Sequence, residues 1–324
     1  MKAIVHHRYG PPEVAHLAEL PKPEPKSNEI LIRVITTTVN RTDSGFRSAE
    51  YVISRFWSGL LRPKFPVLGC EFAGVVESCG NAVNTFKPGD AMFGYNDQTF
   101  GGHAEYLCIA ETAAVAHKPD GFSFDEAAAL TEGAHYALCD IRAAKVQAGQ
   151  QVMVYGATGA IGSAAVQLLK TMGVQVTAVC GTKHADLVRS LGADVVIDYQ
   201  RSDFTRTPVR FDFIFDAVGK SSYGQCKPLL TEKGIYISTE LGKGGENLWY
   251  ALTSRFSRGK RLLFPLPTIK QADVLYLRDL AERGLFKPLI DRHYALEQIP
   301  EAYRYVETGQ KTGNVIIRVA PEIS

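Results

Sequence analysis

Three glycines spaced three residues apart, Gly156, Gly159 and Gly162, most constrain what this chain can fold into. A short apolar run precedes them: Val152, Met153, Val154 and Tyr155. After them Ile161, Ala165, Leu168, Leu169 and Met172 recur at helical spacing, and Gly173 closes the run. Residues 152–173 therefore read as strand, tight turn, helix and glycine cap. A phosphate-binding turn needs this layout. Glycine permits the bend, lets backbone approach a pyrophosphate and lets the helix pack close to the strand. The helix N-terminus adds free N–H groups and the positive end of a dipole. The spacing is GxxGxxG rather than GxGxxG, so the motif alone also suits an ordinary strand–turn–helix packed with small residues.

The surroundings decide between these readings. Ser123 and Glu126 form a capping box at the start of a helix expected to run to about residue 144. After the glycine turn, apolar strand-like runs recur at 174–180, 195–198, 211–216, 235–239 and 262–266. Helical segments at 183–191 and 221–230 lie between them, the first ended by Gly192. Alternating strands and helices with apolar strands predict a doubly wound parallel sheet, covered on both faces. In that setting the turn is a Rossmann dinucleotide fingerprint, with Gly156, Ala157, Thr158, Gly159, Ala160, Ile161 and Gly162 as cofactor-binding residues.

An NAD site places an acid about 20 residues beyond the turn, at the end of the second strand, to take the ribose 2′-hydroxyl. Here the strand ends Cys180, Gly181, Thr182, Lys183, and no carboxylate follows until Asp186. A hydroxyl and an ammonium suit a 2′-phosphate, so the expected cofactor is NADPH. Tyr199, after the third strand, adds a donor or a surface for the adenine. The competing reading makes Thr182 a helix cap and Lys183 a solvated surface charge.

The first 120 residues differ in texture. Short strands are expected at 2–5, 29–35, 72–77, 91–93 and 104–109, with dense glycine and proline between them. They predict a β-rich, partly closed sheet. Residues 40–64 form a long polar-aromatic connection of the kind that binds ligands or lies on the surface. At the far end, 272–285 and 301–307 read as helices and 315–319 as a central strand. The chain of 324 residues has room for two domains. Its 45% hydrophobic and 22% charged residues suit a globular protein in water. A net charge of +2 gives no reason to expect nucleic acid or a membrane as partner. The six scattered cysteines contain no CxxC pair, which implies buried thiols in a reducing compartment. No apolar run is long enough for a leader or a span, so the expected location is cytoplasmic.

Taken in order, the stretches EILIRV (29–34), NRTD (40–43), GCEFAGVV (69–76), FKPGD (86–90), GGHAEYL (101–107), the glycine turn, FDAVG (215–219) and GNVII (313–317) are landmarks. With them the chain resembles the medium-chain dehydrogenase/reductase superfamily, in its zinc-free quinone oxidoreductase branch. The resemblance implies a GroES-like catalytic domain from 1–122 and 267–324, with a Rossmann domain of 123–266 inserted. It implies that the cleft between them holds nicotinamide and substrate, with Thr131 and Val218 at the cofactor. The strand at 262–266 would pair across a homodimer, as an exposed edge strand needs cover. Zinc-dependent relatives supply cysteine, histidine and cysteine. The matching positions here hold Asn40 or Arg41, Cys70, and no cysteine near 131–133, so no metal is expected.

Without metal to polarise an alcohol, the expected acceptor is electron-poor, a quinone or an α,β-unsaturated carbonyl. A donor must then stabilise the oxygen that gathers charge. The candidates are Asn40, Arg41 and Tyr51, in the region resembling the branch's substrate-side loop. Asp43 fits an orienting role. Two other functions stay open: a 2-enoyl thioester reductase, told apart by its acceptor, and an NADPH-binding structural or regulatory protein with little turnover.

Overall fold

The computed structural model describes residues 1–50, 55–254 and 258–321, without the side chain of Trp57. The chain forms two compact units, Met1–Glu132 with Ile269–Ser324, and Gly133–Thr268.

The second unit is a six-stranded sheet. In spatial order its strands are Val195–Asp198, Gln175–Cys180, Gln151–Tyr155, Phe211–Asp216, Leu230–Ser238 and Arg261–Leu263. Every pairing is parallel. Counted within the unit, the order is 3-2-1-4-5-6, the doubly wound dinucleotide arrangement. Val152, Met153 and Val154 are consecutive and all fully buried. Consecutive burial requires cover on both sheet faces, as the apolar strands imply. Met153, Ile214, Tyr236 and Leu262 join one apolar cluster on this sheet.

The first unit is built on the 11-residue strand Glu29–Val39. Glu71–Cys79 runs antiparallel along one edge. The other edge is shared: Tyr106–Ala110 pairs with residues 29–33 and Asn314–Arg318 with residues 36–39. Ile290–Ala295 flanks Asn314–Arg318, which makes the C-terminal strand an interior one. Ala91–Tyr95 and Val115–His117 complete this seven-stranded sheet. Lys2–Val5 pairs separately with His16–Glu19.

Several expected elements differ in extent. The helix expected to run to residue 144 is two helices, Phe124–Ala128 and Glu132–Ala144. Its capping box is present. The break falls where the Glu71 carboxylate accepts from the amides of Thr131 and Glu132, at 3.1 and 2.6 Å. Phe124–Ala128 lies in the first unit, where it packs against Glu29–Val39 and Glu71–Cys79. The expected edge strand at 262–266 is only Arg261–Leu263. Its three residues match the three that pair on Leu230–Ser238. The connection after the central strand contains helices Arg41–Ser48 and Arg55–Ser58.

Asp125 ties Phe124–Ala128 to the sheet. Thr36 donates to Oδ1 at 2.9 Å, while Arg318 Nη2 and His293 Nε2 reach Oδ2 at 2.8 and 3.0 Å. These partners sit on three different strands, and the carboxylate is buried. Removing it leaves the buried Thr36 hydroxyl without its acceptor, while the exposed Arg318 and His293 can turn to water. Asp125→Ala is expected to cost about 1–3 kcal/mol in urea unfolding, and a loss below about 0.5 kcal/mol would contradict this anchoring role.

Candidate active site

The three glycines of the turn have three different reasons to be glycine. Gly156 has φ +78°, and a Cβ there would lie 2.6 Å from Val218 Cγ1. A Cβ on Gly162 would lie 2.2 Å from the carbonyl oxygen of Gly156, so this glycine lets the helix start against the strand end. Gly159 is unlike both. Its φ is −71°, and its Cβ position meets only the Gly156 oxygen at 3.9 Å. Neither conformation nor packing requires glycine at 159. The open space sits at the N-cap of the 12-residue helix Ala160–Thr171, whose first amides have no intrahelical acceptor. Open backbone beside free N–H groups is what a pyrophosphate needs. The residues therefore fit a dinucleotide.

Val218 is held against Gly156 by the buried Asp216. Its carboxylate accepts from the amides of Val218, Lys220 and Ser221, and from the Ser221 and Tyr236 hydroxyls. Both residues belong to the FDAVG landmark.

At the neighbouring strand ends, Gly181, Thr182, Lys183 and Tyr199 come together. A Cβ on Gly181 would lie 3.2 Å from Tyr199 Oη. Lys183 and Tyr199 are exposed. Thr182 caps no helix, since Gly181 holds the N-cap position of the following turn. Its hydroxyl donates to Asp198 Oδ2, and its amide donates to Gln200 Oε1 at 3.1 Å. The bond from Thr182 holds the Asp198 carboxyl below its usual range. Sequence reasoning missed Asp198 and Gln200. The signal was available: the strand-end argument applied to the second strand applies equally to the third.

In the first unit, the central strand runs straight into Asn40, the N-cap of Arg41–Ser48. Asn40 Oδ1 accepts from the Asp43 amide at 2.8 Å. Asn40 Nδ2 is buried and has no hydrogen-bond partner among the described residues. Arg41 is exposed and reaches Glu50 at 3.2 Å. Tyr51 lies outside the described residues.

Behind Asn40 stand two buried carboxylates. Asp43 Oδ1 accepts from the Gly69 amide at 3.1 Å and the Cys70 thiol at 3.3 Å. Burial pushes Asp43 up to about 7. His103 Nε2 donates to the Thr38 carbonyl at 2.8 Å and stands 3.8 Å from Asp43 Oδ2. Burial pulls His103 down to about 4, so the ring is neutral at pH 7. Glu71 uses Oε1 for the Thr131 and Glu132 amides and for the Thr131 hydroxyl at 2.8 Å; Oε2 accepts from Thr38 at 2.7 Å. Burial raises the carboxyls of Glu71 and Glu132 and lowers the Lys311 ammonium, on which both acids act as neighbouring charges. Lys311 Nζ donates to the Gly313 carbonyl at 2.7 Å. No sequence signal marked this lysine, because the tail's periodicity showed only packing.

The zinc positions of the resemblance hold no ligand set. Asn40 caps a helix, Cys70 is a protonated donor whose pKa burial raises well above normal, and Thr131 is bound to Glu71. Among the described residues no three His, Cys, Asp or Glu side chains gather as a metal site.

Comparison with known proteins agrees with this architecture. An alcohol dehydrogenase GroES-like domain model matches residues 26–120, and a zinc-binding dehydrogenase model matches residues 191–317. The chloroplastic quinone-oxidoreductase homolog of Spinacia oleracea is 30% identical over 98% of this chain and 98% of its own. The chain belongs to the medium-chain dehydrogenase/reductase superfamily, in its quinone-oxidoreductase-like branch. Another relative, the chloroplastic NADPH-dependent alkenal/one oxidoreductase of Arabidopsis thaliana, is 29% identical over 99% of this chain and 80% of its own. The solved quinone oxidoreductase of Coxiella burnetii superposes with a TM-score of 0.87 at 27% identity, covering 99% of both chains. Within this reductase branch, GCEFAGVV contributes Cys70 and Glu71, NRTD contributes Asn40 and Asp43, and GNVII begins two residues after Lys311.

The glycine analysis separates binding from folding. Gly159→Ala should weaken NADPH binding at least about tenfold while costing under about 1 kcal/mol of stability. Gly162→Ala should instead cost more than about 2 kcal/mol, since strand end and helix must part. Calorimetric titration and thermal melting read both, and a Gly159→Ala protein with unchanged affinity would refute the cradle.

Asp43 and His103 pull stability in opposite directions with pH. Between about 4 and the unfolded value of 6.5, only the unfolded chain protonates His103, so stability falls on acidification. Between the unfolded value of 3.8 and about 7, the folded chain holds the Asp43 proton more tightly, so stability rises on acidification. Asp43→Asn removes the second effect alone. From pH 6.5 to 5 the variant should lose about 2 kcal/mol more than the wild type, at about 1.4 kcal/mol per pH unit. Parallel urea-midpoint profiles would contradict this.

Proposed function

We propose that this chain is an NADPH-dependent, zinc-independent reductase that transfers hydride to quinones or α,β-unsaturated carbonyls. The observation that carries the reading is the open Gly159 position at a helix N-terminus, in a chain of the quinone-oxidoreductase-like branch. Relatives named as quinone and alkenal/one oxidoreductases support the acceptor class.

Bound NADPH supplies the hydride. In this reading Gly156, Ala157, Thr158, Gly159, Ala160, Ile161 and Gly162 receive the pyrophosphate, and Val218 closes the turn. Lys183 takes the 2′-phosphate, flanked by Gly181, Thr182 and Tyr199. Thr182 and Gln200 hold the Asp198 carboxylate through the hydroxyl of one and the amide of the other. Thr131, fixed by Glu71, stands at the nicotinamide. Asn40, Arg41 and Tyr51 are the donors for the oxygen on which charge gathers. Of these, Asn40 is held by its capping bond with an amide N–H group uncommitted among the described residues.

The proposal extends to assembly and place. Among the described residues the edge strand Arg261–Leu263 has one sheet neighbour, and Leu248, Trp249, Leu252 and Leu266 of the same unit are exposed. These support a homodimer closing the sheet edge. The six free cysteines support a reducing compartment such as the cytoplasm. No described helix is long and apolar enough to cross a membrane. The first unit, Met1–Glu132 with Ile269–Ser324, is the catalytic part of this reading and Gly133–Thr268 the nucleotide part, so the boundaries expected at 122/123 and 266/267 move to 132/133 and 268/269.

The test is NADPH consumption, with NADH in parallel and a chelator present, against quinones, enones and enoyl thioesters. Turnover of quinones or enones with NADPH preferred and no chelator effect is expected. Enoyl thioesters turned over far faster would select the thioester reductase. NADPH binding without turnover would select a structural or regulatory role. Lys183→Ala should weaken NADPH by about 1.5–3 kcal/mol and leave NADH nearly unchanged. Equal losses would overturn the 2′-phosphate assignment and point to Asp198 as a ribose ligand.

A further inference from the structure

The loop after Arg55–Ser58 is closed on itself. The Lys64 amide donates to the Ser58 carbonyl at 2.7 Å, and the Gly59 amide to the Arg55 carbonyl at 3.0 Å. Tyr9 Oη fastens its base, donating to the Gly59 carbonyl at 2.6 Å with Ser58 Oγ at 3.0 Å. Gly59 has φ +117°, and a Cβ there would lie 2.0 Å from the Arg62 carbonyl oxygen. The loop is thus a pinned structure with a defined tip.

That tip is apolar and outside. Leu60 is 61% exposed, Leu61 88% and the neighbouring Phe56 76%. Two adjacent leucines held outward on a closed turn are unusual for a surface bathed only in water. The chain on either side of them is basic. Residues 55–70 include Arg55, Arg62 and Lys64 and no Asp or Glu. Arg62 also lines a pocket of about 380 Å³ with His7, Arg8, His16 and Glu13. Glu13 is occupied by Arg304 Nε at 2.9 Å. The overall charge of +2 hides this local concentration of cations.

We propose that this loop is a membrane-docking element: Leu60, Leu61 and Phe56 enter the interface of an anionic bilayer, while Arg62, Lys64 and Arg8 face lipid phosphates. Apolar insertion and attraction of basic groups to anionic headgroups act together at such surfaces, and neither alone holds a protein firmly. A bilayer suits the patch because it offers both an apolar layer for Leu60, Leu61 and Phe56 and a negative surface for the exposed Arg62, Lys64 and Arg8. The inference stands on this surface alone and not on the acceptor or cofactor.

The test is co-sedimentation of the full chain with vesicles of phosphatidylcholine, and of phosphatidylcholine mixed with phosphatidylglycerol. Binding to the mixed vesicles, weakened by salt, is expected, with little binding to phosphatidylcholine alone. Leu61→Asp should lower the partition coefficient at least about tenfold, and Arg62→Glu by a similar factor. Thermal melting serves as the fold control, since both side chains are exposed. Absence of binding to the mixed vesicles, or full-strength binding by Leu61→Asp, would overturn the proposal. So would light scattering that shows the leucines seating a second copy of the chain, with self-association lost in Leu61→Asp and no vesicle binding.

Discussion

The contact between Gly162 and the carbonyl of Gly156 sets the architecture of the nucleotide unit. A side chain at 162 would lie 2.2 Å from that oxygen, so only glycine lets the helix begin directly against the strand it follows. With the helix so close, its N-terminal amides stand at the carboxyl end of Gln151–Tyr155. That is also where the strand order reverses, since Gln175–Cys180 lies on one side and Phe211–Asp216 on the other. Ligands of open α/β sheets bind at this switch point. Gly159 completes the arrangement by leaving space that neither the turn nor the core uses.

The first unit solves a different problem, that of keeping polar groups ordered inside a β-rich core. Glu71 and Asp43 are both fully buried, and most of their oxygens accept hydrogen bonds from backbone amides, hydroxyls or a thiol. Each such bond offsets part of the cost of burying a carboxyl. The result is a rigid frame: Glu71 orders Thr131, while Asp43 and Asn40 order the first turn of Arg41–Ser48. Chemistry that depends on placed donors rather than on a metal benefits from such rigidity. Two of the buried groups without a hydrogen-bond partner among the described residues, Asn40 Nδ2 and Asp43 Oδ2, belong to this frame.

Local patterns carried the sequence reading a long way. The glycine spacing, the capping box at Ser123 and the alternation of apolar strands each depend on residues close in the chain, and each led to the right class of element. Readings failed where the deciding partner is distant. The helix through residue 131 breaks because Glu71, 60 positions earlier, takes its amides. Thr182 serves Asp198 because parallel pairing brings Asp198 level with Cys180. Lys311 joins Glu71 and Glu132 only because the C-terminal strand returns beside Glu29–Val39. Tyr51 falls outside the described residues.

The account makes the chain a scaffold that positions a nicotinamide hydride against an electron-poor acceptor without metal. The most direct measurement follows that hydride. NADPH carrying deuterium at the transferring position of C4 would be turned over with an enone, and the product examined by mass spectrometry and NMR. The account predicts deuterium on the β-carbon of the product and hydrogen from solvent on the α-carbon. Product without the label, or label lost to water, would contradict direct transfer and with it the assignment of this site.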